Sequence, residues 1–345
     1  MWSAKRHVAE TILAGVDIGG TKTAVVLSSH PPDILERIVF PTVPGEEPER
    51  AIRCIIRGLR KLLASQQFKV TDLRSIGISC GSPLDPIAGL IQEPPNLPTW
   101  REVPIKSILE DTFGVECHLE NDANAGALAE HAFGAGKGAR DMVFLTMGTG
   151  LGAGLILNGQ LYRGASYLAG EIGHVRITRS GPKGHNKAGS AEGWASGTGM
   201  AMAAEKIIQA ASARGELSSL TTRDHHRNGL LTARDVWMAA QAGDDLAQHV
   251  VRTTGERLGE VIAIIVDLLN PERIIVGGLA VRMGEALLGP ARAVIQREAL
   301  QRAVSACQIL PAALGEEIGD VAALCVALNA DSDITTGKPQ ERMSS

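Results

Sequence analysis

The sequence has little of what nucleic-acid-binding, membrane and exported proteins need. Its 34 Lys and Arg residues are nearly balanced by 38 Asp and Glu residues, and the net charge of −4 provides no broad positive field for a polyanion. No apolar run approaches the roughly 20 residues that cross a bilayer. The start, MWSAKRHVAE, lacks the apolar core of a secretory signal. We therefore expect no nucleic-acid partner, no membrane association and no export.

Cysteines are few, and short tandem repeats are missing. The five cysteines are odd in number, widely scattered and embedded in apolar stretches, which is typical of buried thiols in a reducing compartment. This pattern predicts a cytoplasmic protein. The missing repeats exclude a solenoid. With 345 residues, 44% of them hydrophobic, the chain is long enough for two ordinary domains.

Hydrophobic periodicity predicts an α/β fold. Strands dominate the first half and helices the second, with mixed units in both, which indicates two lobes with a central cleft. Prolines make residues 81–100 a loop region. The predicted elements are a hairpin over 11–29, a helix over 49–67, strands over 73–79, 115–119, 142–147 and 273–276, and helices near 201–213, 232–241, 244–269 and 284–298.

The first glycine turn follows a predicted strand and reads DIGGTK over residues 17–22. The paired glycines Gly19 and Gly20 let backbone N–H groups approach phosphate oxygens, and Thr21 adds a hydroxyl donor. Asp17 can hold a magnesium ion through water. The alternative is an ordinary tight turn with an exposed aspartate.

The second glycine run, GTGLGAG over residues 148–154, offers donors with no side chains in the way. It suits the phosphates of a nucleotide, and it also fits the dinucleotide-binding pattern G-x-G-x-x-A. That pattern requires a helix to open at the glycines, whereas an apolar strand and the hairpin signal Asn158-Gly159 follow here. A phosphate cradle is therefore favoured over a dehydrogenase.

Several polar residues lie at element ends or between glycines. Asp122 begins a predicted helix, where it could accept a proton from a phosphoryl acceptor or merely cap the helix. Glu171, His174 and Glu192 can hydrogen-bond sugar hydroxyls, although a lone histidine is more often structural. The pair at 277–278 ends a strand, either as a simple terminus or with room for a flat ring such as adenine.

These motifs occur together in one order: DIGGTK, ENDANAGALAE, MGTGLGAG, AGEIGH and EGWASG. From about Ala14 to Leu328 the chain resembles the ROK family, which groups bacterial sugar kinases with sugar-responsive repressors. The resemblance implies a two-lobed actin-like ATPase fold of the ribonuclease H-like, hexokinase type, with ATP, Mg²⁺ and a sugar as ligands and a homodimer as the assembly. We expect a smaller lobe over 1–120 joined by a helix near 318–330, a larger lobe over 121–317, and a disordered tail over 331–345.

The resemblance also implies roles for individual residues. Asp122 would be the catalytic base, and Mg²⁺ would be held by Asp17 through water. ATP would be bound by Asp17, Gly19, Gly20, Thr21, Lys22, Gly148, Thr149, Gly150, Gly152, Gly277 and Gly278. The sugar would be bound by Gly81, Asn121, Asp122, Glu171, His174 and Glu192.

The chain departs from the family pattern just before Glu192. Many members carry C-x-C-G-x-x-G-C there, and its three thiolates join the equivalent of His174 on a structural zinc. Here the three positions hold Lys183, His185 and Ser190. Because two histidines cannot complete a tetrahedral site, we expect no structural zinc. Residues 176–191 are interpreted instead as a mobile loop that orders on sugar binding.

The expected reaction is ATP-dependent phosphorylation of a hexose, with glucose to glucose 6-phosphate as the first choice. Fructose, mannose, allose, N-acetylglucosamine and N-acetylmannosamine are the alternative sugars, and polyphosphate is an open alternative donor. A non-catalytic sugar-binding regulator is the alternative from another class. Family repressors carry a helix-turn-helix ahead of the first glycine loop, whereas sixteen residues precede Asp17 here, so DNA binding by that route is not expected.

Overall fold

The computed structural model describes residues 11–43, 45–215, 218–222 and 231–328. The chain divides into two compact units. Unit 1 comprises Met1–Ala129 and Glu317–Ser345, and unit 2 comprises Glu130–Glu316. The tail expected over 331–345 lies outside the described residues.

The elements of the first part of the chain alternate between strands and helices. The strands are β1 (Ile12–Ile18), β2 (Lys22–Ser28), β3 (Glu36–Pro41), β4 (Leu73–Cys80), β5 (Leu84–Asp85), β6 (Leu90–Ile91) and β7 (Glu116–Asn121). The helices are α1 (Pro48–Ser65), α2 (Ile105–Phe113) and α3 (Asp122–Phe133), and a 3₁₀ turn covers Val70–Asp72. Helix α3 runs across the division between the units.

Unit 1 is built on a five-stranded sheet in the order β3-β2-β1-β4-β7. Strands β3, β2 and β1 run antiparallel, whereas β1, β4 and β7 run parallel. Successive side chains of a strand point to opposite faces. Accordingly, Ile12 and Val16 belong to the core shared with α1 and α2, and Leu13 packs with residues of the last helix, α12 (Ile318–Leu328). The predicted hairpin, the helix over 49–67 and the next two strands are confirmed.

Helix α12 approaches the sheet very closely at Gly77. A Cβ atom built on Gly77 in β4 would lie 2.0 Å from the carbonyl oxygen of Ala323. No side chain fits in that space, so glycine is required by packing rather than by backbone conformation. This contact joins the C-terminal helix to a strand some 250 residues earlier in the chain, as Ser75 does by donating to the carbonyl of Ala327.

Unit 2 contains the remaining strands and helices. The strands are β8 (Met142–Met147), β9 (Leu151–Leu157), β10 (Gln160–Leu161), β11 (Lys183–Gly184), β12 (Lys187–Ala188), β13 (Arg273–Val276) and β14 (Gln308–Pro311). The helices are α4 (Ala191–Trp194), α5 (Gly197–Ala213), α6 (Ser219–Thr222), α7 (Ala233–Gln241), α8 (Asp245–Leu269), α9 (Leu279–Met283), α10 (Glu285–Glu298) and α11 (Gln301–Ala306). Two 3₁₀ turns cover Ile172–His174 and Gly315–Glu317.

The main sheet of unit 2 repeats the plan of unit 1. Its order is β10-β9-β8-β13-β14, with β10, β9 and β8 antiparallel and β8, β13 and β14 parallel. In both units a hairpin with a glycine turn therefore begins the sheet and parallel strands complete it. The two glycine turns occupy equivalent places in the two sheets.

Some elements were not anticipated from the sequence. Residues 81–100 are mostly loop as predicted, but they include the short antiparallel pair β5 and β6. The edge strands β3 and β14 were missed, because an edge strand that is exposed on one face carries a weak hydrophobic signal. Helix α2 was also missed. None of the helices in the described ranges is long and apolar enough to span a membrane.

Candidate active site

The candidate residues of unit 1 gather at one edge of its sheet. Strands β1, β4 and β7 are parallel, and their last residues, Ile18, Cys80 and Asn121, lie in register. The segments that follow these strands leave from the same edge. In parallel α/β sheets, ligands bind at this carboxyl edge. The glycine turn, Gly81 and Asp122 are therefore brought together by the strand order.

The glycine turn after β1 is held from within and from two sides. The amide of Gly19 donates to the carbonyl of Lys22 (3.0 Å), and the carbonyl of Thr21 accepts from the amide of Thr42 (3.0 Å). A Cβ atom on Gly20 would lie 2.5 Å from the Cβ of Asn96. The turn is thus packed against the proline-rich loop, and Gly20 has to be a glycine.

Asp17 is the penultimate residue of β1, and its carboxyl group is buried. Burial, together with the negative charges of Asp320 and Asp122, raises the pKa of Asp17 to about 7, and the positive charges of Lys22 and Arg37 oppose this shift. A buried carboxyl group beside two others is unlike the exposed aspartate of an ordinary turn.

Asp320 and Arg37 complete this charged cluster, and sequence reasoning missed both. Arg37 Nε lies 2.6 Å from Asp320 Oδ2, and the side chain of Asp320 is 3% exposed. The other oxygen, Asp320 Oδ1, is buried without a hydrogen-bond partner among the described residues. Burial raises the pKa of Asp320 and Arg37 lowers it, with a net upward shift. The sequence signal for Asp320 is that it is a single aspartate inside the apolar run of α12.

Asn121 and Asp122 stand at the junction of β7 and α3. Asn121 Oδ1 accepts from the amide of Ala123 (2.9 Å), and Asn121 Nδ2 donates to Ser82 Oγ (2.7 Å). Asp122 Oδ1 also accepts from the amide of Ala123 (2.8 Å). Asn121 thus caps the helix and ties its start to the loop after β4. Asp122 does not have to supply the cap by itself.

The buried carboxylate of Glu120 lies behind this junction. Its Oε1 accepts from the amide of Asn121 (3.0 Å) and from Asn124 Nδ2 (2.9 Å). Buried charges are tolerated where hydrogen bonds satisfy them, and such networks fix the groups that they contact. Gly81, in contrast, has no atom within 4 Å of an ideal Cβ position, so the space beside it is open.

The glycine turn of unit 2 rests on the start of α5. The carbonyl of Gly148 accepts from the amide of Gly197 (2.8 Å), and the carbonyl of Thr149 accepts from the amide of Thr198 (3.3 Å). At the other end of the turn, the amide of Leu151 donates to Glu192 Oε2 (3.2 Å). The turn is therefore linked directly to a predicted sugar-binding carboxylate.

Glu171 and His174 lie beside strand β9. The amide of Ala153 donates to the carbonyl of Gly170 (2.9 Å), which holds this segment against the strand. His174 Nε2 is 3.8 Å from Glu171 Oε2, and both side chains are nearly half exposed. The 3₁₀ turn that carries them thus presents two polar groups next to the glycine turn of the same unit.

The glycine pair at the end of β13 also lies beside this turn. The amide of Gly277 donates to the carbonyl of Leu145 (2.8 Å). Gly278 has φ +59°, and a Cβ atom there would lie 2.1 Å from the carbonyl oxygen of Met147. The pair ends the strand and begins α9, so both readings of this motif, a strand terminus and a border for a flat ring, are compatible with the structure.

Residues 176–191 include regular secondary structure, and their interpretation as a mobile loop that orders on sugar binding stays a prediction. Strands β11 and β12 pair as a hairpin, and Arg176 forms a β-bridge with Ser190. The side chain of Trp194 donates to Thr178 Oγ1 (2.7 Å). The segment thus supplies part of its own hydrogen bonds. The described residues contain no group of three or more metal-ligating side chains.

Family membership follows from a match along almost the whole chain. The model of the ROK family matches residues 13–330. The chain belongs to the ROK family. This ROK protein is 33% identical over 308 residues to a glucokinase from Halalkalibacterium halodurans, with 88% of this chain and 91% of the relative covered.

Solved structures agree with this assignment. A ROK family glucokinase from Streptomyces griseus, in complex with glucose and AMPPNP, is 30% identical with a TM-score of 0.75, and 92% of this chain and 99% of that one are covered. The expected two-lobed, actin-like ATPase fold class is confirmed. Regulators also match: a xylose repressor from Caldicellulosiruptor bescii is 27% identical over 286 residues, with 83% of this chain and 70% of the relative covered.

Proposed function

We propose that this ROK protein is a sugar kinase that transfers the terminal phosphoryl group of ATP to a hexose hydroxyl, with glucose to glucose 6-phosphate as the reaction. The carrying observation is that Asp122 lies close enough to Asp17 to raise its pKa, at the sheet edge where the glycine turn also emerges. A base, a metal-binding carboxylate and phosphate-binding amides are the parts that phosphoryl transfer needs. The glucokinase relatives support the same reaction.

The chemistry assigned to Asp122 is proton acceptance. As the sugar oxygen bonds to the γ-phosphorus, its proton passes to the Asp122 carboxylate, the bond from the γ-phosphorus to the bridging oxygen breaks, and ADP leaves. Asn121 supports this role because it shares the capping of α3 and fixes the helix start through Ser82.

Mg²⁺ fits the charged cluster around Asp17. The negative charges of Asp320 and Asp122 raise the pKa of Asp17 there, and a divalent cation would relieve that repulsion. Asp17 would hold the ion through water, and the bound ion would neutralise charge on the transferring phosphate. The residues of this chain thus favour a metal-loaded nucleotide over a free one.

The sugar itself is assigned by analogy with family members. Asn121, Glu171, His174 and Glu192 supply acceptors and donors for hydroxyl groups, and the space beside Gly81 admits a ligand atom. Other hexoses and N-acetylated hexosamines offer similar hydroxyls, so a sugar panel is needed to rank them. The homodimer stays a prediction.

A coupled ADP-release assay with a panel of sugars tests the proposal. We expect turnover with glucose as the best substrate, and phosphate transfer from polyphosphate is tested in a parallel arm by glucose 6-phosphate formation. Tight sugar binding without turnover on any sugar would instead identify a regulator.

The variant Asp122→Asn tests the assigned base. It should lower kcat at least ~10²-fold, the usual scale for a positioned base, while sugar affinity stays nearly unchanged. Asp111→Asn, at an exposed position on α2, is the matched control and should leave kcat unchanged. Normal kcat in Asp122→Asn would remove Asp122 from the mechanism.

A further inference from the structure

A short hairpin in unit 2 occupies the place where many family members carry their zinc-binding cysteines. Strands β11 and β12 pair through Lys183 with Ala188 and Gly184 with Lys187. The two turn residues, His185 and Asn186, have φ values of +50° and +57°. A two-residue turn with both φ values positive matches the right-handed twist of a hairpin. The turn therefore places the side chain of His185 at the hairpin tip.

His185 contacts two of the predicted sugar-binding side chains at once. Its Nε2 lies 3.1 Å from Glu192 Oε2, and its ring stacks on that of His174 with 3.7 Å between the centroids and 21° between the planes. The same hairpin also reaches the backbone of His174, because Lys187 Nζ donates to the His174 carbonyl (2.6 Å). One structural element thus constrains both residues.

The base of the hairpin is anchored by Ser190, which is fully buried. Ser190 Oγ accepts from the amides of Gly184 (3.1 Å) and Gly193 (3.1 Å) and lies 3.2 Å from the Gly184 carbonyl. These bonds join the hairpin to helix α4, which carries Glu192. This buried, hydrogen-bonded anchor therefore couples the base of the hairpin to the helix that carries Glu192.

Glu192 Oε2 receives two contacts, from His185 and from the amide of Leu151 at the end of the glycine turn. A carboxylate with both contacts has one preferred rotamer, whereas a carboxylate held by Leu151 alone can rotate away. His174 similarly depends on the stacked ring, because its contact with Glu171 is 3.8 Å long and nearly half exposed. Removing His185 would loosen both side chains.

We propose that His185 is a positioning residue, which orients Glu192 and His174 for sugar binding in this chain as a metal ion orients ligands elsewhere. The inference rests on the proposed sugar-kinase function for its activity readouts. It depends on the histidine at 185 and on the buried serine at 190.

Three variants separate the two contacts of His185. His185→Ala removes both of them, His185→Gln keeps an N–H group for Glu192, and His185→Phe keeps an aromatic ring for His174. His249→Ala, at an exposed position on helix α8, is the matched control. For each variant, kcat and the KM values for sugar and ATP are measured, together with the Kd for glucose by calorimetry.

The expected result is a KM and a Kd for sugar raised about tenfold or more in His185→Ala, the scale for losing one partner of a charged group. We expect kcat and the KM for ATP to change less than threefold, roughly within ordinary variation for a site away from the reacting atoms. His185→Gln and His185→Phe should each restore part of the affinity. Unchanged sugar affinity in His185→Ala would overturn the proposal.

A second measurement does not depend on the function. Hydrogen exchange of residues 171–193 in the ligand-free protein should speed up in His185→Ala and stay unchanged in His249→Ala. If the wild type binds sugar but shows no turnover, the proposed kinase function fails while calorimetry and exchange still decide the role of His185. Unchanged exchange in His185→Ala would refute the positioning role even in an active kinase.

Metal analysis of the purified wild-type protein separates this role from that of a zinc ligand. We expect far less than one zinc per chain and unchanged activity with a zinc-selective chelator in excess Mg²⁺. Stoichiometric zinc that is lost in His185→Ala would show that His185 acts as a ligand and would overturn the proposal.

Discussion

Replacing Asp17 by asparagine should stabilise the ligand-free protein while abolishing the proposed kinase activity. The folded protein keeps the carboxyl group of Asp17 buried beside Asp320 and Asp122, and its pKa is raised from 3.8 to about 7. Because the folded state holds a proton that the unfolded chain has already lost, stability from this group falls as pH rises from about 4 to about 7 and then levels off. Asparagine cannot ionise, so Asp17→Asn does not lose stability in this way as pH rises.

The magnitude follows from the shift in pKa. Three pKa units correspond to about 4 kcal/mol at pH 8, at 1.36 kcal/mol per unit. At pH 5, which lies only about one unit above the ordinary pKa of 3.8, Asp17 costs roughly 1–2 kcal/mol. The stability gained by Asp17→Asn should therefore grow by roughly 2–3 kcal/mol between pH 5 and pH 8.

The gain in stability of unit 1 is measured by urea unfolding in metal-free buffer, with hydrogen exchange of peptides from β1 and β4 as the readout. Asp33→Asn, which removes the same charge from an exposed position, should change stability by less than about 0.5 kcal/mol at either pH. Adding Mg²⁺ and ATP should stabilise the wild type but not the variant. A gain that is absent at pH 8, or equal at both pH values, would refute the assigned burial and repulsion.

Two further substitutions test the packing that builds the candidate site. Gly77→Ala should lower the free energy of unfolding, measured in urea, by about 3 kcal/mol or more, because its methyl group would overlap the Ala323 carbonyl. Gly81→Ala places its methyl group in open space and should leave this free energy nearly unchanged. Equal stability of the two variants would contradict the close approach of α12. Ser190→Ala should lower the free energy of unfolding by about 1–3 kcal/mol, because it leaves two buried amides without an acceptor. In the same assay Ser305→Ala, at an exposed position on α11, should lower it by less than about 0.5 kcal/mol. An unchanged free energy of unfolding in Ser190→Ala would show that other contacts anchor the hairpin.

The sequence by itself determined the two glycine hairpins, most of the longer strands and helices around them, and the family. Alternating apolar residues and paired glycines specify a hairpin locally, because they depend only on the side-chain period and on backbone freedom. The motifs also pointed to Asp17, Asp122 and Glu192. Their predicted roles in binding and catalysis stay predictions for the experiments above.

Only the tertiary structure decided which groups surround those residues. Asp320 lies about 300 residues from Asp17 in the chain, and the parallel sheet with α12 packed on Gly77 is what brings their charges together. His185 was visible in the sequence only as a substitute for a cysteine, and its turn conformation gives it contacts with His174 and Glu192. Charge repulsion and ring stacking act through space, so spacing along the chain could not reveal them.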